Sequence, residues 1–217
     1  MTPAADGPRP YRDRADAGAR LAEHLAAYAG RADVVVLGLP RGGVPVAAQV
    51  ARALRAPLDV FCVRKLGVPG DEELAMGAIA TGGVVVVNER VVSELGVPQQ
   101  ILSEVTAAER DELERQERAY RGDGPPVALA GRTVLIVDDG LATGATMRAA
   151  VRAVRAAGPG RVVVAVPVAA AETCRSLEAD ADEVVCPLAP EGFRSVGGWY
   201  DDFSSTSDDE VRRCLTS

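Results

Sequence analysis

The stretch Val134 to Met147, VLIVDDGLATGATM, constrains the fold more than any other part of the chain. An apolar run, two aspartates and a turn of glycine and threonine stand end to end, ahead of an alanine-rich segment. A short apolar run bounded by turn residues predicts a buried parallel strand, and the composition of Ala145 to Ala157 predicts a helix packed beside it. The turn then lies at the carboxyl end of a strand, where open α/β sheets hold their ligands. From there, Leu141 to Thr146 would aim successive backbone N–H groups and two threonine hydroxyls at a phosphate on the helix N-terminus. Asp138 and Asp139 would repel that phosphate, unless the same ligand offers them hydroxyl donors or a divalent cation stands between the charges. A ribose 5-phosphate provides for both. Taken singly, the aspartates also suit a turn or cap and the glycines a tight backbone; the uninterrupted order favours the phosphate site. A P-loop is excluded, because Gly144 is followed by Ala145 and Thr146 where that motif needs Lys and then Ser or Thr.

VDDGLATGAT resembles the phosphoribosyl pyrophosphate loop of the type I phosphoribosyltransferases. The resemblance implies that Asp138 and Asp139 face the ribose 2- and 3-hydroxyls, holding Mg2+ directly or through water, and that Ala142, Thr143, Gly144, Ala145 and Thr146 hold the 5-phosphate. It also implies a second loop upstream, and GLPRGGVP, Gly38 to Pro45, stands between the apolar run Val34 to Leu37 and a helical stretch from Val46 to Leu54. Arg41 supplies a cation, and Gly42 and Gly43 lack the Cβ atoms that would keep backbone N–H groups away from an anion. In the family this loop binds pyrophosphate and often holds a non-proline cis peptide, here expected at Pro40–Arg41.

Arg64 and Lys65 follow the apolar segment Leu58 to Val63. Lys65 is the only lysine among 24 basic residues, the rest being arginine, which suggests a mobile point charge instead of a planar fork. By resemblance the pair helps hold pyrophosphate. Residues 66–83, LGVPGDEELAMGAIATGG, read as a flexible lid: Ala75 to Ala80, the turn Thr81-Gly82-Gly83 and Val84 to Val87 predict a β-hairpin folding over the site. Such a lid would exclude water from an oxocarbenium-like transition state.

Strands are predicted at Val34 to Leu37, Leu58 to Val63, Val84 to Val87, Val134 to Val137, Val162 to Val168 and Val184 to Cys186, with helical stretches between most of them. The fold class is α/β, an open and mostly parallel sheet flanked by helices, with 217 residues forming one domain. The first ten residues, rich in Pro and Gly, are expected to be disordered. Pro98 to Arg121 reads as an exposed helix with acid-before-base pairs at Asp111–Arg115, Glu114–Arg118 and Glu117–Arg121. Its apolar positions fit packing on the sheet, or on a second subunit in a homodimer.

A net charge of −7 disfavours nucleic acid as a partner. Cys62, Cys174, Cys186 and Cys214 lack metal-ligand spacing, and no signal peptide or membrane-spanning run is read, so a cytoplasmic location is expected. His24 reads as a surface or packed residue. The acceptor is expected under a small hood, residues 187–203, where Trp199, Tyr200 and Phe203 either stack on a planar ring or anchor the segment to the core.

The loop with Ala142, and Arg64-Lys65 followed by Val68-Pro69-Gly70, is similar to adenine phosphoribosyltransferase. RGGVP and Leu74-Ala75-Met76-Gly77, without a lid glutamate or second lid lysine, depart from it and point to a separate bacterial branch. The expected activity is Mg2+-dependent phosphoribosyl transfer from phosphoribosyl pyrophosphate to a nucleobase or related nitrogen heterocycle. Arg41, Lys65, Asp138 and Asp139 would be catalytic. The alternative is a regulator that senses phosphoribosyl pyrophosphate without an acceptor.

Overall fold

The computed structural model describes residues 11–122 and 124–216, without the side chains of Glu72 and Glu73. The expected disorder of the first ten residues lies outside that range. Five strands form a parallel sheet: β1 (Val34–Gly38), β2 (Leu58–Val60), β6 (Thr133–Val137), β7 (Arg161–Ala165) and β8 (Glu183–Val185). Their order is β2-β1-β6-β7-β8. Three further strands, β3 (Val63–Val68), β4 (Asp71–Ala80) and β5 (Val84–Val87), form a separate antiparallel sheet in the order β3-β4-β5.

Alternation along the parallel strands divides the core. Val35, Leu37, Val134, Ile136, Val162 and Val164 pack with Met147, Ala150, Val151 and Val154 of α5 (Ala145–Ala156). Val34, Val36, Leu135, Val137, Val163 and Ala165 face α1 (Arg14–His24) and α2 (Gly43–Leu54) on the other side. The uninterrupted apolar runs follow from this burial on both faces. The chain winds outward from β1 to β2, then returns to place β6 on the other flank of β1, so α2 and α5 leave adjacent strand ends towards opposite faces. That reversal opens a crevice beyond Gly38 and Val137, which are paired neighbours in the register.

The remaining helices are α3 (Glu89–Glu94), α4 (Gln99–Arg121), α6 (Ala171–Leu177) and α7 (Asp208–Leu215). Three expectations are corrected. The run Leu58 to Val63 is not one strand: it breaks at Phe61 and Cys62 and hands the chain from one sheet to the other. The strand expected over Val162 to Val168 ends at Ala165, after which Val168 makes only an isolated bridge to Leu188. Arg121 does meet Glu117, at 3.7 Å, but the pair is covered and not exposed. The Arg121 side chain is 12% exposed, and its Nε donates to the buried Asp59 at 2.9 Å. Asp59 also accepts from the backbone of Val60 and Val127, so a carboxylate inside the fold is fully hydrogen-bonded. On the exposed side of α4, Arg118 does meet Glu114 at 3.5 Å, whereas Arg115 pairs with Glu112 and not with Asp111.

The hairpin of β4 and β5 packs its apolar face into the fold. Met76, Ile79 and Ala80 are fully buried, and the turn at Thr81 bonds back to Cys62, the Thr81 N–H donating to the Cys62 carbonyl at 2.9 Å. The sequence pattern identified the hairpin, and burial of its apolar face seats it against the core. What projects from residues 66–83 is the other turn, between Val68 and Asp71, where Pro69 and Gly70 are exposed and Leu74 nearby is 38% exposed. Among the described residues, no helix is long and apolar enough to cross a membrane.

Candidate active site

Asp138 and Asp139 follow β6 directly and sit at the mouth of the crevice, half-buried. Burial pushes the Asp138 carboxyl well above the usual carboxylate range, and the charge of Asp139 pushes it further. Asp139 is raised by burial too, but Arg14 opposes the effect. Arg14 Nε donates to Asp139 Oδ2 at 2.8 Å, with both side chains largely covered. The same guanidinium donates to the carbonyl of Ser204 at 2.7 Å and lies 4.1 Å from the centre of the Phe203 ring. The acid pair is therefore asymmetric: Asp139 has a direct counter-charge and Asp138 does not. Sequence reading missed Arg14, which stands in an ordinary helical stretch with nothing local to mark it.

Beyond the acids the loop turns at Gly144, whose φ of 71° is left-handed, and α5 begins. The hydroxyl of Thr173 donates to the carbonyl of Ala142 at 2.6 Å, and Arg148 Nη2 donates to the carbonyl of Thr143 at 2.6 Å. In a trans peptide the carbonyl and the following N–H point in opposite directions. Pulling these two carbonyls towards α6 and Arg148 therefore turns the N–H groups of Thr143 and Gly144 the other way. Among the described residues, the backbone N–H groups of Ala142, Thr143, Gly144 and Thr146 donate to no protein acceptor. Unpaired donors at the start of a helix form an anion-binding concavity. Thr173 and Arg148 orient it, and neither was identified from sequence, since both act from outside the motif.

The upstream loop is built differently. The bond Pro40–Arg41 is cis, as expected. The N–H of Gly43 is already spent on the carbonyl of Leu39 at 3.0 Å, and that of Val44 on Arg41 at 3.2 Å. A Cβ on Gly42 would stand 2.0 Å from Asp139 Oδ2, and one on Gly43 would stand 2.8 Å from Asp138 Cα. These contacts add a constraint of space to the expected one of N–H access. The glycines are small because the acid pair packs against them, bringing the two loops into contact; Gly43 has no N–H left for an anion. Arg41 itself is 53% exposed and lies 3.9 Å from Asp208, an ion pair at the limit of contact.

Arg64 and Lys65 are neighbours on β3 and so point to opposite faces. Arg64 is ion-paired with Glu109 of α4, on the side of the buried Leu66. Lys65 is exposed, and both line a cleft of about 630 Å³ with Gly67, Val68 and Thr146, the last at the start of α5. The three aromatic candidates also separate. Tyr200 is buried, and its hydroxyl donates to the carbonyl of Asp139 at 2.5 Å. Trp199 packs into the cluster of Tyr11, Val168 and Tyr200, while its carbonyl accepts from the N–H of Tyr11 at 2.7 Å. Phe203 is 36% exposed, with its ring centre 5.0 Å from that of Tyr200. Tyr200 and Trp199 thus clamp residues 187–203 to Tyr11 and the acid pair, with Val196 against Gly140.

A family model described as phosphoribosyl transferase domain matches residues 11–77 and 70–201. The chain belongs to the phosphoribosyl transferase family. Both phosphoribosyl transferase loops, with Arg14 and the clamp at Tyr200, lie inside the matched region, whereas Phe203 lies just beyond it. A Mycobacterium tuberculosis H37Rv protein, Rv0571c, with a provisional phosphoribosyl transferase name, is 49% identical over 201 residues, covering 93% of this chain and 45% of its own length. The chain thus spans about half the length of the curated relatives it matches. The crystal structure of TT1426 from Thermus thermophilus superposes with a TM-score of 0.86 at 47% identity, covering 95% of this chain and 97% of the other. The Aquifex aeolicus AQ2163 protein, at 15% identity, a TM-score of 0.51 and coverage of 94% and 86%, shares the fold.

Proposed function

We propose that the protein transfers the phosphoribosyl group of phosphoribosyl pyrophosphate to a nitrogen heterocycle with Mg2+, releasing pyrophosphate. The observation that carries this reading is the contact between the two loops across the crevice: unpaired N–H groups at the start of α5 for a phosphate, and an acid pair packed on Gly42 and Gly43 beside them. Such a pairing of groups suits a pentose carrying a phosphate at one end and hydroxyls at the other.

The residues present fit Mg2+ only as part of the substrate. Among the described residues, no group of three or more His, Cys, Asp or Glu could hold a metal. Two carboxylates, one of them already tied to Arg14, make half a coordination shell, and Mg2+ ordinarily completes such a shell with phosphate oxygens and water. When bound, it supplies charge neutralisation between pyrophosphate and the acids. Asp138 would accept from a ribose hydroxyl and stabilise positive charge on the ring; its raised pKa falls when a cation compensates its burial. Arg14 favours the ionised form of Asp139 and holds it in place. Arg41 and Lys65 would neutralise the departing pyrophosphate, and the N–H groups of Thr143 and Gly144 would hold the 5-phosphate so that the anomeric carbon stays aligned with the acceptor. Phe203, partly exposed beside Arg14, would offer its ring to a heterocycle.

The test is a screen of nucleobases and related heterocycles for pyrophosphate release in the presence of Mg2+ and phosphoribosyl pyrophosphate. Release with one acceptor, abolished in Asp138→Asn/Asp139→Asn, is the expected result. Tight donor binding with no release for any acceptor would favour a sensor in place of an enzyme.

A further inference from the structure

The two edges of the antiparallel sheet are finished differently. At β3, Arg64 and Lys65 stand on the strand, and its register against β4 shifts at Leu66, Gly67 and Val68. Charges and bulges are the devices that keep an edge strand from pairing with another chain. β5 has neither. It reads Val84-Val85-Val86-Val87, and its register runs without a shift from Val84 opposite Ala80 to Val87 opposite Gly77. An uncharged, regular edge of β-branched residues is a template for one more strand.

Alternation along β5 decides which of its backbone groups are left over. The N–H of Asn88 donates to the carbonyl of Met76 at 2.8 Å, so Asn88, and with it Val86 and Val84, turn their groups towards β4. Val85 and Val87 turn theirs outward, where among the described residues they meet no partner. Both faces of that edge have room beside them. Val86 and Asn88 line a hollow of about 250 Å³ with Ala149 and Arg152 of α5, while Val85 and Val87 line one of about 410 Å³ with Thr106, Arg110 and Asp111 of α4. Arg110 and Asp111 are exposed and, among the described residues, have no partner, whereas each glutamate and each other arginine of α4 has one.

We infer that β5 pairs antiparallel with β5 of a second copy of this chain, about a two-fold axis at Val86, so that the two small sheets become one. In that register Val85 faces Val87 of the second copy and Val87 faces its Val85, each pair exchanging N–H···O bonds, and the outward groups of both strands are satisfied. Val86 faces its own copy between them. Moving the axis to Val85 or Val87 would set the other valine against Gly83 or Glu89, outside the strand. Charge also selects a second copy as the occupant. Glu89 and Arg90 follow β5 at one end only, and antiparallel pairing puts them at the Gly82-Gly83 end of the other copy, where a Cβ would meet nothing within 4 Å. On the α4 face, a two-fold contact turns Arg110 and Asp111 of each copy towards the same unpartnered acid and base of the other, a patch that carries both signs and so complements itself.

Val86→Cys places a thiol on the proposed axis. In a non-hydrogen-bonded antiparallel pair the Cα atoms stand about 4.5 Å apart, inside the range that a disulfide spans. The whole Val86→Cys protein is oxidised with copper phenanthroline, digested with trypsin without reduction and read by mass spectrometry. Trypsin releases position 86 in residues 66–90, a peptide that contains no native cysteine. The expected product is that peptide joined to a second copy of itself, and Val84→Cys, which falls opposite Asn88 of the other copy, should give none. Sedimentation equilibrium supplies the second arm. The unmodified chain should sediment with twice the mass of one chain, and Val85→Pro, which removes an outward N–H and leaves the ladder to β4 intact, should sediment with the mass of one. If Val85→Pro fails to fold, the contrast between Val86→Cys and Val84→Cys still decides. A monomeric unmodified chain overturns the inference and leaves the edge to a strand of another protein; a dimer that joins through position 84 and not 86, or one that persists in folded Val85→Pro, overturns the interface.

Discussion

The loops after β1 and β6 share one sequence pattern, strand then glycine-containing turn then helix, and differ in what their backbones do. The loop after β1 closes on itself, spending the N–H groups of Gly43 and Val44 on its own carbonyls. The loop after β6 has its carbonyls drawn away by Thr173 and Arg148 and keeps its N–H groups unpaired. Their glycines differ accordingly. Gly42 has right-handed helical φ and ψ of −63° and −32°, open to any residue, and has no room for a side chain because Asp139 abuts it. Gly144 is needed for its left-handed backbone as well as for space. A pattern of glycines therefore reports two different constraints, and only the neighbour of each glycine tells them apart.

The largest expected effect separates the loops by ligand. If Lys65 and Arg41 serve the pyrophosphate end and the β6 loop the 5-phosphate, Lys65→Ala weakens phosphoribosyl pyrophosphate by about 1.5 to 3 kcal/mol, the range for a charged hydrogen bond, and leaves ribose 5-phosphate nearly unchanged. Titrating both ligands against the variant checks this, and equal losses would remove Lys65 from the pyrophosphate end. Lys65→Arg should recover only part of the loss, since a planar fork replaces a point charge.

Next in size, Gly42→Ala should destabilise the fold by about 1 to 3 kcal/mol through overpacking on Asp139. Denaturant unfolding of Gly42→Ala, Asp139→Ala and the double variant reads the cause. A cost that shrinks in the Asp139→Ala background supports the steric account; an unchanged cost sends the explanation back to the backbone.

Gly144→Ala should behave otherwise, losing about 1 to 2 kcal/mol from the left-handed backbone. Thr173→Ser, which keeps the hydroxyl and removes the methyl 2.7 Å from the new Cβ, should relieve only the contact part. Calorimetry with ribose 5-phosphate follows the cradle itself, and full recovery in the double variant would show that backbone conformation contributes nothing.

The smallest effect concerns charge. The Asp138 pKa is raised in the fold above its ordinary 3.8, so the ionised form is the disfavoured one and its penalty is present above that pH and lost below it. Asp138→Asn should therefore raise the melting temperature of the ligand-free protein at pH 7 by about 2 to 4 °C, the response of a chain this size to about 1 kcal/mol, and leave it unchanged near pH ~3. The same substitution should weaken Mg2+-dependent donor binding. A fall in melting temperature at pH 7 would make Asp138 a structural carboxylate and remove the contrast with Asp139.

Short apolar runs, helix-forming stretches and the acid pair at a strand end are local signals, and from them the sequence determined the parallel α/β architecture and both loops, down to the strand ends that carry them. Burial and pairing across long separations are not local, and only the tertiary structure decided them. It placed Arg14 on Asp139 across 125 positions, paired Arg64 with Glu109 at the cleft that both it and Lys65 line, and made Tyr200 a clamp. It also gave the expected lid hairpin its packing, because Met76 and Ile79 found apolar partners on α4 that no reading of their own segment could supply. Periodicity says which residues seek burial; what they are buried against, and whether a charge finds its counter-charge, depends on which distant elements the fold brings together.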